Sequence, residues 1–430
     1  MDIVNLSAVI LTLAAAFSYL NFRFIGLPTT IGVMLIALVL SGALILLGRL
    51  GIADLQDHAG HMLAGLDFDK ALMEGMLSFL LFAGALHVDI QNLAERKWTI
   101  GLLATVGVVL STLVVGTLAY LLLALLGLGA PYVWCLLFGA LISPTDPIAV
   151  MATLKKAGIG KSLETKIAGE SLFNDGVGVV VFIVLIELVR QPEAAAAGHM
   201  FVLHAMEIFF IEAAGGVLFG VLLGLLGFWL LKSVDNYQVE ILVTLGLVMG
   251  GYTLAHNIHV SGPIAVVVAG LLIGNGGRKY AMSVTTRERL DNFWELLDEI
   301  LNVVLFVLIG LEVLVLELTG AYFTAGLLAI PLILLARLVS VGLPISLLRA
   351  FANRTFSEHA VKILVWGGLK GGISVALALS LPPGPHRDVF LVITYVVVVF
   401  SITVQGLTIG RMAKRLSGAE SPDDRPHDNH

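Results

Sequence analysis

Residues 169–176 read GESLFNDG and bring together the side chains of this chain that are best suited to chemistry. Two carboxylates, Glu170 and Asp175, stand beside the hydroxyl of Ser171 and the amide of Asn174. On a helix, residues four apart share a face, so these four side chains form two adjacent stacks. The segment opens a long apolar stretch, and a carboxylate at membrane depth is costly unless it is paired, hydrated or protonated. These residues therefore indicate ion handling within a membrane.

Two other apolar stretches are interrupted by residues that break helices. Residues 142–147 read ISPTDP, and residues 367–374 read GGLKGGIS. Proline removes a backbone donor and glycine loosens the helix, which is tolerated in mid-membrane only where the backbone is buried in protein or lines a cavity. Breaks at matching positions of oppositely oriented halves indicate an inverted-repeat transporter with its site near the midplane.

The charged residues near the centre of the predicted spans are three acids and two bases: Asp146, Glu170, Asp175, Arg337 and Lys370. One carboxylate is therefore left uncompensated. Either a proton or a small cation can neutralise it, and competition between the two for one carboxylate is the basis of an antiporter. Since oxygen donors suit a hard cation, the predicted ligands of a transported Na+ are Asp175, Ser171 and Thr145.

The other central charges have two open interpretations. Glu170 and Arg337 form either a buried ion pair that holds two core helices together or part of the ion site. Asp146 and Lys370 either stabilise the helix breaks, where half-helix dipoles of opposite sign face each other, or tune the ion site. We expect Asp175 to face the ion path.

The composition places these residues in a membrane protein. Hydrophobic residues make up 58% of the chain and charged residues 13%, whereas a soluble domain carries about 25% charged residues. The apolar stretches are long enough to cross a hydrocarbon core, and helices are the default spanning element. We therefore expect an all-α polytopic membrane protein with about thirteen transmembrane helices, near residues 2–20, 28–48, 71–88, 101–127, 131–154, 164–189, 201–231, 238–256, 260–276, 292–316, 322–349, 360–382 and 388–411.

The two broken spans are the fifth and the twelfth of this series. Their odd offset means that they cross the membrane in opposite directions, so we predict two inverted six-helix repeats, spans 1–6 and 8–13, with span 7 as the connector. With the N-terminus outside and the C-terminus in the cytoplasm, most of the 25 basic residues fall on the cytoplasmic side. The positive-inside rule favours this topology.

No signature of an enzyme or an ATPase is present, so we expect a carrier that is driven by a gradient and needs no cofactor. The expected partners are membrane lipid, monovalent cations and protons, and no nucleic acid. The single Cys135 excludes an intrachain disulfide framework. We expect one transmembrane unit over residues 1–416 and a short, disordered cytoplasmic tail over the polar residues 417–430.

Taken together, these motifs resemble the NhaP-type sodium/proton antiporters, the asparagine-aspartate branch of the cation:proton antiporters. The resemblance covers essentially the whole chain. It rests on TDP at 145–147, ESLFNDG at 170–176, Arg337 and GGLKG at 367–371, with FVLIG at 306–310 and GALH at 84–87. Two positions depart from the pattern: Lys370 stands where many members have arginine, and Gly176 where some prokaryotic members have proline.

The resemblance implies a homodimer in a cell membrane. In each protomer a six-helix core, spans 4–6 and 11–13, would move like an elevator against a dimerisation domain of spans 1–3 and 7–10. Asp175 would carry the transported ion and the proton, surrounded by Thr145, Asp146, Glu170 and Ser171. Asn174 would mark an electroneutral one-for-one exchanger.

The sequence thus predicts exchange of Na+ or Li+ for H+, in the service of pH homeostasis, and leaves two alternatives open. The first alternative is exchange of K+ for H+, because oxygen ligands at a mobile site do not indicate which cation size is preferred. A cation channel through the same carboxylates is less favoured, because two broken helices in inverted repeats are typical of transporters.

Overall fold

The computed structural model describes residues 3–50, 75–95, 97–146, 150–151, 154, 161–190, 199–316, 318–352 and 359–417. The secondary structure in these ranges is helical, without a strand, as the sequence predicts. The predicted disordered tail lies outside the described residues, apart from Ser417, which ends the last helix. The first residues of the third predicted span, 71–74, also lie outside them.

The first half of the chain forms eight described helices. These are α1 (Ile3–Leu20), which continues as a π-helical turn (Asn21–Ile25), α2 (Thr29–Arg49), α3 (Leu77–Leu86), α4 (Ile90–Glu95), α5 (Lys97–Ala104), α6 (Val106–Leu125), α7 (Tyr132–Ile142) and α8 (Lys161–Arg190).

The second half contributes ten described helices. These are α9 (His199–Ser233), α10 (Tyr237–Asn257), α11 (Gly262–Leu272), which continues as a π-helical turn (Ile273–Gly277), α12 (Arg278–Tyr280), α13 (Val284–Glu312), α14 (Gly320–Ala352), α15 (Ala360–Trp366), α16 (Gly372–Leu379), α17 (Arg387–Phe400), which continues as a π-helical turn (Ser401–Gln405), and α18 (Gly406–Ser417).

Eight helical stretches in the described part of the chain are long and apolar enough to cross a membrane. They are Ser7–Ile25, Thr29–Gly48, Lys97–Leu125, Ile167–Arg190, Met206–Ser233, Tyr237–Asn257, Gly320–Ala350 and Arg387–Leu416. Two shorter apolar helices, α3 and α7, have 10 and 11 residues. The predicted all-helical membrane fold is confirmed, whereas the number of thirteen spans and their arrangement in inverted repeats stay predictions.

Helix breaks are present at both predicted places. α7 ends at Ile142, and residues 143–146 follow without helical structure; the second break lies at residues 367–371, between α15 and α16. The two breaks touch, because the backbone N–H of Asp146 donates to the carbonyl of Leu369 at 2.8 Å. Backbone groups released from a helix need partners inside a membrane protein, and here one break supplies a partner to the other.

Tight packing holds the broken helices in place. α7 lies so close to α6 that a Cβ at Gly139 would collide with the backbone of Thr112. Phe138 of α7 and Phe390 of α17 stack with their ring centroids 5.5 Å apart, in a buried core that also contains Phe306 of α13. α8 packs against both α7 and α5. The segments around the breaks are therefore set in a rigid, apolar frame.

Candidate ion-binding site

α8 presents four of the predicted site residues in the interior of the bundle. Glu170, Ser171, Asn174 and Asp175 are only 2%, 3%, 1% and 5% exposed. The helix continues beyond them to Arg190, and its packing on α7 fixes the direction of this face. The polar side chains of α8 consequently meet the break that follows α7.

The amide of Asn174 fastens this break to α8. Its Nδ2 donates to Oγ1 of Thr145 at 2.8 Å, and the backbone N–H of Thr145 donates to its Oδ1 at 3.3 Å. The hydroxyls of Ser171 and Thr145 also share a hydrogen bond of 3.0 Å. Both side-chain atoms of the amide are therefore engaged, and Thr145, which is 2% exposed, has a fixed position.

Asp175 differs from these neighbours because its carboxylate has an unused acceptor. Within the described residues, its buried Oδ1 has no hydrogen-bond partner. Asp175 lines a cavity of about 430 Å³, together with Thr145 and Asp146. Ser171 does not line this cavity and reaches the site through its bond to Thr145. Since buried polar atoms are normally satisfied, the open oxygen of Asp175 is an exception within the described residues.

Glu170, by contrast, has a partner. Its Oε1 lies 2.6 Å from Nη2 of Arg337, and the two side chains are 3% and 9% exposed. The guanidinium also packs against the second helix break, since a Cβ at Gly368 would come within 2.6 Å of Nε of Arg337. The ion pair, which is one of the two interpretations that the sequence left open, is present and ties α8 to α14 beside the break.

Lys370 caps the end of α7. Its Nζ donates to the carbonyl oxygens of Ser143 and Pro144 at 3.0 and 3.2 Å, and its backbone N–H donates to Oγ of Ser401 at 2.9 Å. The residue is 4% exposed. The last carbonyls of a helix lack intrahelical donors and carry its negative dipole end, so an ammonium ion there satisfies both needs.

Asp146 lies at the opposite kind of helix end. Its carboxylate packs on Gly371, the residue that precedes α16, so closely that a Cβ at this glycine would collide with it. A negative charge is favoured at the N-terminus of a helix, as a positive charge is at the C-terminus. The two breaks therefore carry charges of the sign that each half-helix end requires, and Asp146 also lines the cavity of Asp175.

A further set of polar residues at this cavity was missed by the sequence interpretation. Glu295, Asp298, Glu299 and Asn302 of α13 all line it. Their spacing along α13 follows one helix face, and this periodicity within the tenth predicted span is the signal that could have found them. Among the described residues, the cavity is lined by five carboxylates and no basic side chain. Its polar wall is acidic.

The polar atoms of the site are mainly hydroxyl and carboxylate oxygens. In the described part of the chain, no three histidine, cysteine, aspartate or glutamate side chains converge as they would around a tightly bound metal. Hydroxyl and carboxylate oxygens are suitable ligands for hard cations. A buried carboxylate with an open oxygen, at the contact of two broken helices, is the architecture of an ion-handling membrane protein.

The chain belongs to the sodium/hydrogen exchanger family, because the model of the transmembrane part of these exchangers matches residues 9–415. The Na(+)/H(+) antiporter NhaP of Pseudomonas aeruginosa is 51% identical over 415 residues, which cover 96% of each chain. The Na(+)/H(+) antiporter NhaH of Halobacillus dabanensis is 35% identical over 385 residues, covering 89% of this chain and 91% of that protein.

The fold is that of a solved sodium proton antiporter. The structure of MjNhaP1 from Methanocaldococcus jannaschii at pH 8 superimposes with a TM-score of 0.71 and covers 96% of this chain and 97% of its own. The sequence identity is 20%, so this similarity concerns the fold. The family membership indicated by the motifs at both helix breaks and on α8 is thus confirmed.

Proposed function

We propose that the protein is a secondary active antiporter that exchanges Na+ or Li+ for H+ across the cell membrane. One observation carries the proposal: Asp175 is buried, its Oδ1 has no partner among the described residues, and it lines an acidic cavity at the contact of the two breaks. The relatives NhaP and NhaH are named as Na(+)/H(+) antiporters, which supports the same activity here.

Exchange follows from competition at one carboxylate. The ionised Asp175 binds a cation, and oxygens of Thr145 and of water complete its coordination. A proton that adds to the carboxylate removes the negative charge and releases the cation, and the reverse step returns the proton to solution. Because the two ligands exclude each other, each inward passage of one is coupled to an outward passage of the other.

The charges around the site support a one-for-one stoichiometry. Glu170 and Arg337 neutralise each other as an ion pair. Among the five charged residues of the proposed core, Lys370 offsets one of the two remaining acids, Asp146 and Asp175, so that a single positive charge completes the balance of this group. A proton or a monovalent cation supplies that charge equally well. Asn174 adds no second carboxylate and is engaged with Thr145, so the proposed cycle moves no net charge.

We further propose that the site moves between the two sides with a core domain, as an elevator. The core comprises α5 to α8 and α14 to α18, which carry every predicted site residue. The dimerisation domain comprises α1 to α3 and α9 to α13, and it joins two protomers into a homodimer. Both proposed domains contribute to the wall of the Asp175 cavity. The core contributes the two breaks and α8, and the dimerisation domain contributes α3 and α13. The proposed topology has the N-terminus outside and the C-terminus in the cytoplasm.

The test is transport by purified protein in lipid vesicles. Na+, Li+ and K+ gradients are imposed in turn, and internal pH is followed with a trapped dye. We expect Na+ and Li+ gradients to drive proton movement, and vesicles with Asp175→Asn to match protein-free vesicles. Proton movement with K+ alone would establish K+/H+ exchange instead. Large cation currents in planar bilayers would indicate a channel, and no proton movement with any cation would refute the proposal.

A further inference from the structure

The hydroxyl of Ser374 is a buried polar group that the proposed exchange reaction does not use. Ser374 lies in the first turn of α16, the helix that begins directly after the second break, and it is 1% exposed. A serine hydroxyl on a helix commonly donates to a carbonyl one turn earlier, as Ser143 at the end of α7 does to Gly139 at 2.7 Å. Oγ of Ser374 has no hydrogen-bond partner among the described residues. This hydroxyl is therefore available to a further ligand.

Ser374 lines the same cavity as Asp175. The described wall of this cavity has two hydroxyl side chains, Thr145 and Ser374. Oγ1 of Thr145 is already bonded to Nδ2 of Asn174 and to the hydroxyl of Ser171. Oδ1 of Asp175 has no partner among the described residues, so the two open oxygens are not bonded to each other. The cavity thus has an open carboxylate oxygen from α8 and an open hydroxyl from α16.

The helices around Ser374 fix its position. α16 packs against α7, α8 and α13. Gly372, two residues before Ser374, lies so close to α13 that a Cβ at this glycine would collide with Leu305. Val375 and Leu377, which follow Ser374 on α16, belong to the buried apolar core. A ligand group that is held in place in this way loses little conformational freedom when it binds an ion.

The charges near Ser374 permit a cation beside its hydroxyl. The N-terminal end of a helix carries a positive partial charge of roughly half an elementary charge, which by itself disfavours a cation. The carboxylate of Asp146 packs on Gly371 at this end of α16, and Asp175 lines the same cavity. The ammonium of Lys370 is bonded to carbonyls at the end of α7. The two negative charges together exceed the charge of Lys370 and of the helix end.

We infer that Ser374 is a ligand of the transported cation, whose Oγ binds Na+ or Li+ at Asp175 and brings the second broken helix into the coordination shell. This inference rests on the proposed antiport and adds a residue that determines the affinity for the cation. A hydroxyl oxygen suits a hard cation, whereas a proton on Asp175 needs no further ligand. Ser374 therefore favours the cation in its competition with the proton.

The test measures the half-saturating Na+ concentration of Ser374→Ala in vesicles at several pH values. We expect a rise of about fivefold, since water replaces the lost oxygen only in part, and a maximal rate within about twofold of the parent. Protons compete in both proteins, so half-saturation rises at low pH in both. Because Ser374 contacts only the cation, the ratio of variant to parent should be the same at every pH. The other titratable groups near the site are the same in both proteins and cancel from this ratio: Asp146, Glu295, Asp298, Glu299 and Lys370.

Two further measurements separate coordination from a structural role. Ser374→Cys has nearly the shape of the parent side chain, but sulfur is a soft ligand that suits Na+ poorly. It should therefore need as much Na+ for half-saturation as Ser374→Ala. Ser374→Ala should unfold at the temperature of the parent or above it, because alanine favours a helix and no hydrogen bond is lost. Parent affinity in Ser374→Cys, or a lower unfolding temperature of Ser374→Ala, would indicate a packing role and overturn the inference.

The matched control is Thr394→Val. Thr394 of α17 is also 1% exposed, and its Oγ1 also has no partner among the described residues, but it does not line the cavity of Asp175. This variant should keep the half-saturating concentration of the parent.

Two results with Ser374→Ala would also contradict the inference. An unchanged half-saturating concentration would mean that the hydroxyl does not bind the cation. A ratio of variant to parent that grows as the pH falls would mean that the hydroxyl acts on the carboxylate of Asp175 instead. In both cases exchange by the parent protein would leave the proposed function in place, whereas a parent protein without exchange would refute that function itself.

Discussion

Two carboxylates of α8 lie little more than one helical turn apart and have opposite surroundings. Glu170 is held 2.6 Å from the guanidinium of Arg337, whereas Oδ1 of Asp175 has no partner among the described residues and lies at a cavity. Both residues are almost fully buried. Burial therefore does not distinguish the paired acid from the acid that is proposed to bind the transported ions. The difference between these two residues is the fixed partner of Glu170, which Oδ1 of Asp175 lacks among the described residues.

The largest effect is expected when the unpartnered acid is removed. Asp175→Asn should abolish exchange and leave a folded protein, because the amide is nearly isosteric with the carboxylic acid but cannot alternate between a proton and a cation. Cation-driven pH change in vesicles measures the activity, and thermal unfolding measures the fold. The control is Asp89→Asn, at an exposed position outside the cavity of Asp175, which should transport normally. Sustained exchange by Asp175→Asn would show that Asp175 is not the carboxylate that alternates between a proton and a cation.

Removal of either partner of the ion pair should mainly affect stability. Glu170→Gln or Arg337→Ala leaves one buried charge without its partner. We expect this to lower the free energy of unfolding by about 3 to 5 kcal/mol. Transport should fall because less protein is folded. Thermal unfolding, followed by tryptophan fluorescence, provides the measurement. If both variants unfold at the temperature of the parent, the pair does not hold α8 to α14.

A double variant sharpens the same point. Glu170→Leu combined with Arg337→Met removes both charges, and it should unfold at a higher temperature than either single variant because no charge is stranded. The coupling between the two positions follows from a double-mutant cycle that includes the single variants Glu170→Leu and Arg337→Met. Strictly additive losses would mean that the two side chains act independently.

A smaller effect is expected at the first helix break, which carries Thr145. Thr145→Val preserves the shape of the side chain but leaves Nδ2 of Asn174 and the hydroxyl of Ser171 without their shared partner. We expect a loss of about 1 to 3 kcal/mol in stability and a higher half-saturating Na+ concentration. Ser171→Ala removes one of these bonds and should have the weaker effect. If Thr145→Val and Ser171→Ala lose the same stability and have the same half-saturating Na+ concentration, Thr145 is not the shared partner of Asn174 and Ser171.

The smallest effect is expected from membrane potential. If Asp175 is the one exchangeable carboxylate, a cycle moves no net charge, and the rate should be the same with the potential clamped at zero or at a large value by potassium and valinomycin. The measured quantity is proton flux at matched ion gradients. A clear acceleration would indicate a second transported charge, and Lys370 would then become the residue to study, because a lysine can release its proton.

Much of the site was predictable because local chemistry dictates it. Proline and glycine in apolar stretches cannot continue a helix, so both breaks followed from the sequence. A buried acid needs a partner, so the contact of Glu170 with Arg337 could be expected. The resemblance identified Asn174 as a marker of exchanger type, and the structure adds that its amide bonds to Thr145.

The remaining features depend on how distant segments meet. Lys370 was expected to counter the dipole of a break, but the choice of the carbonyls of Ser143 and Pro144 depends on how the two breaks cross. The acidic face of α13 was overlooked because its side chains line a cavity that α13 forms with α3 and α8. These helices are distant in sequence, so their contact is not visible from α13 alone. Periodicity along one helix does not reveal which helix lies opposite.

The bond from the N–H of Asp146 to the carbonyl of Leu369 has a mechanical consequence. It joins the two breaks, so a displacement of one must carry the other, together with the ammonium of Lys370 and the carboxylate of Asp146. In the proposed movement, the ion therefore moves together with the two helix breaks and with their charged side chains. The charges of the two breaks then stay around the ion, whereas the acidic side chains of α13 remain behind with the other proposed domain.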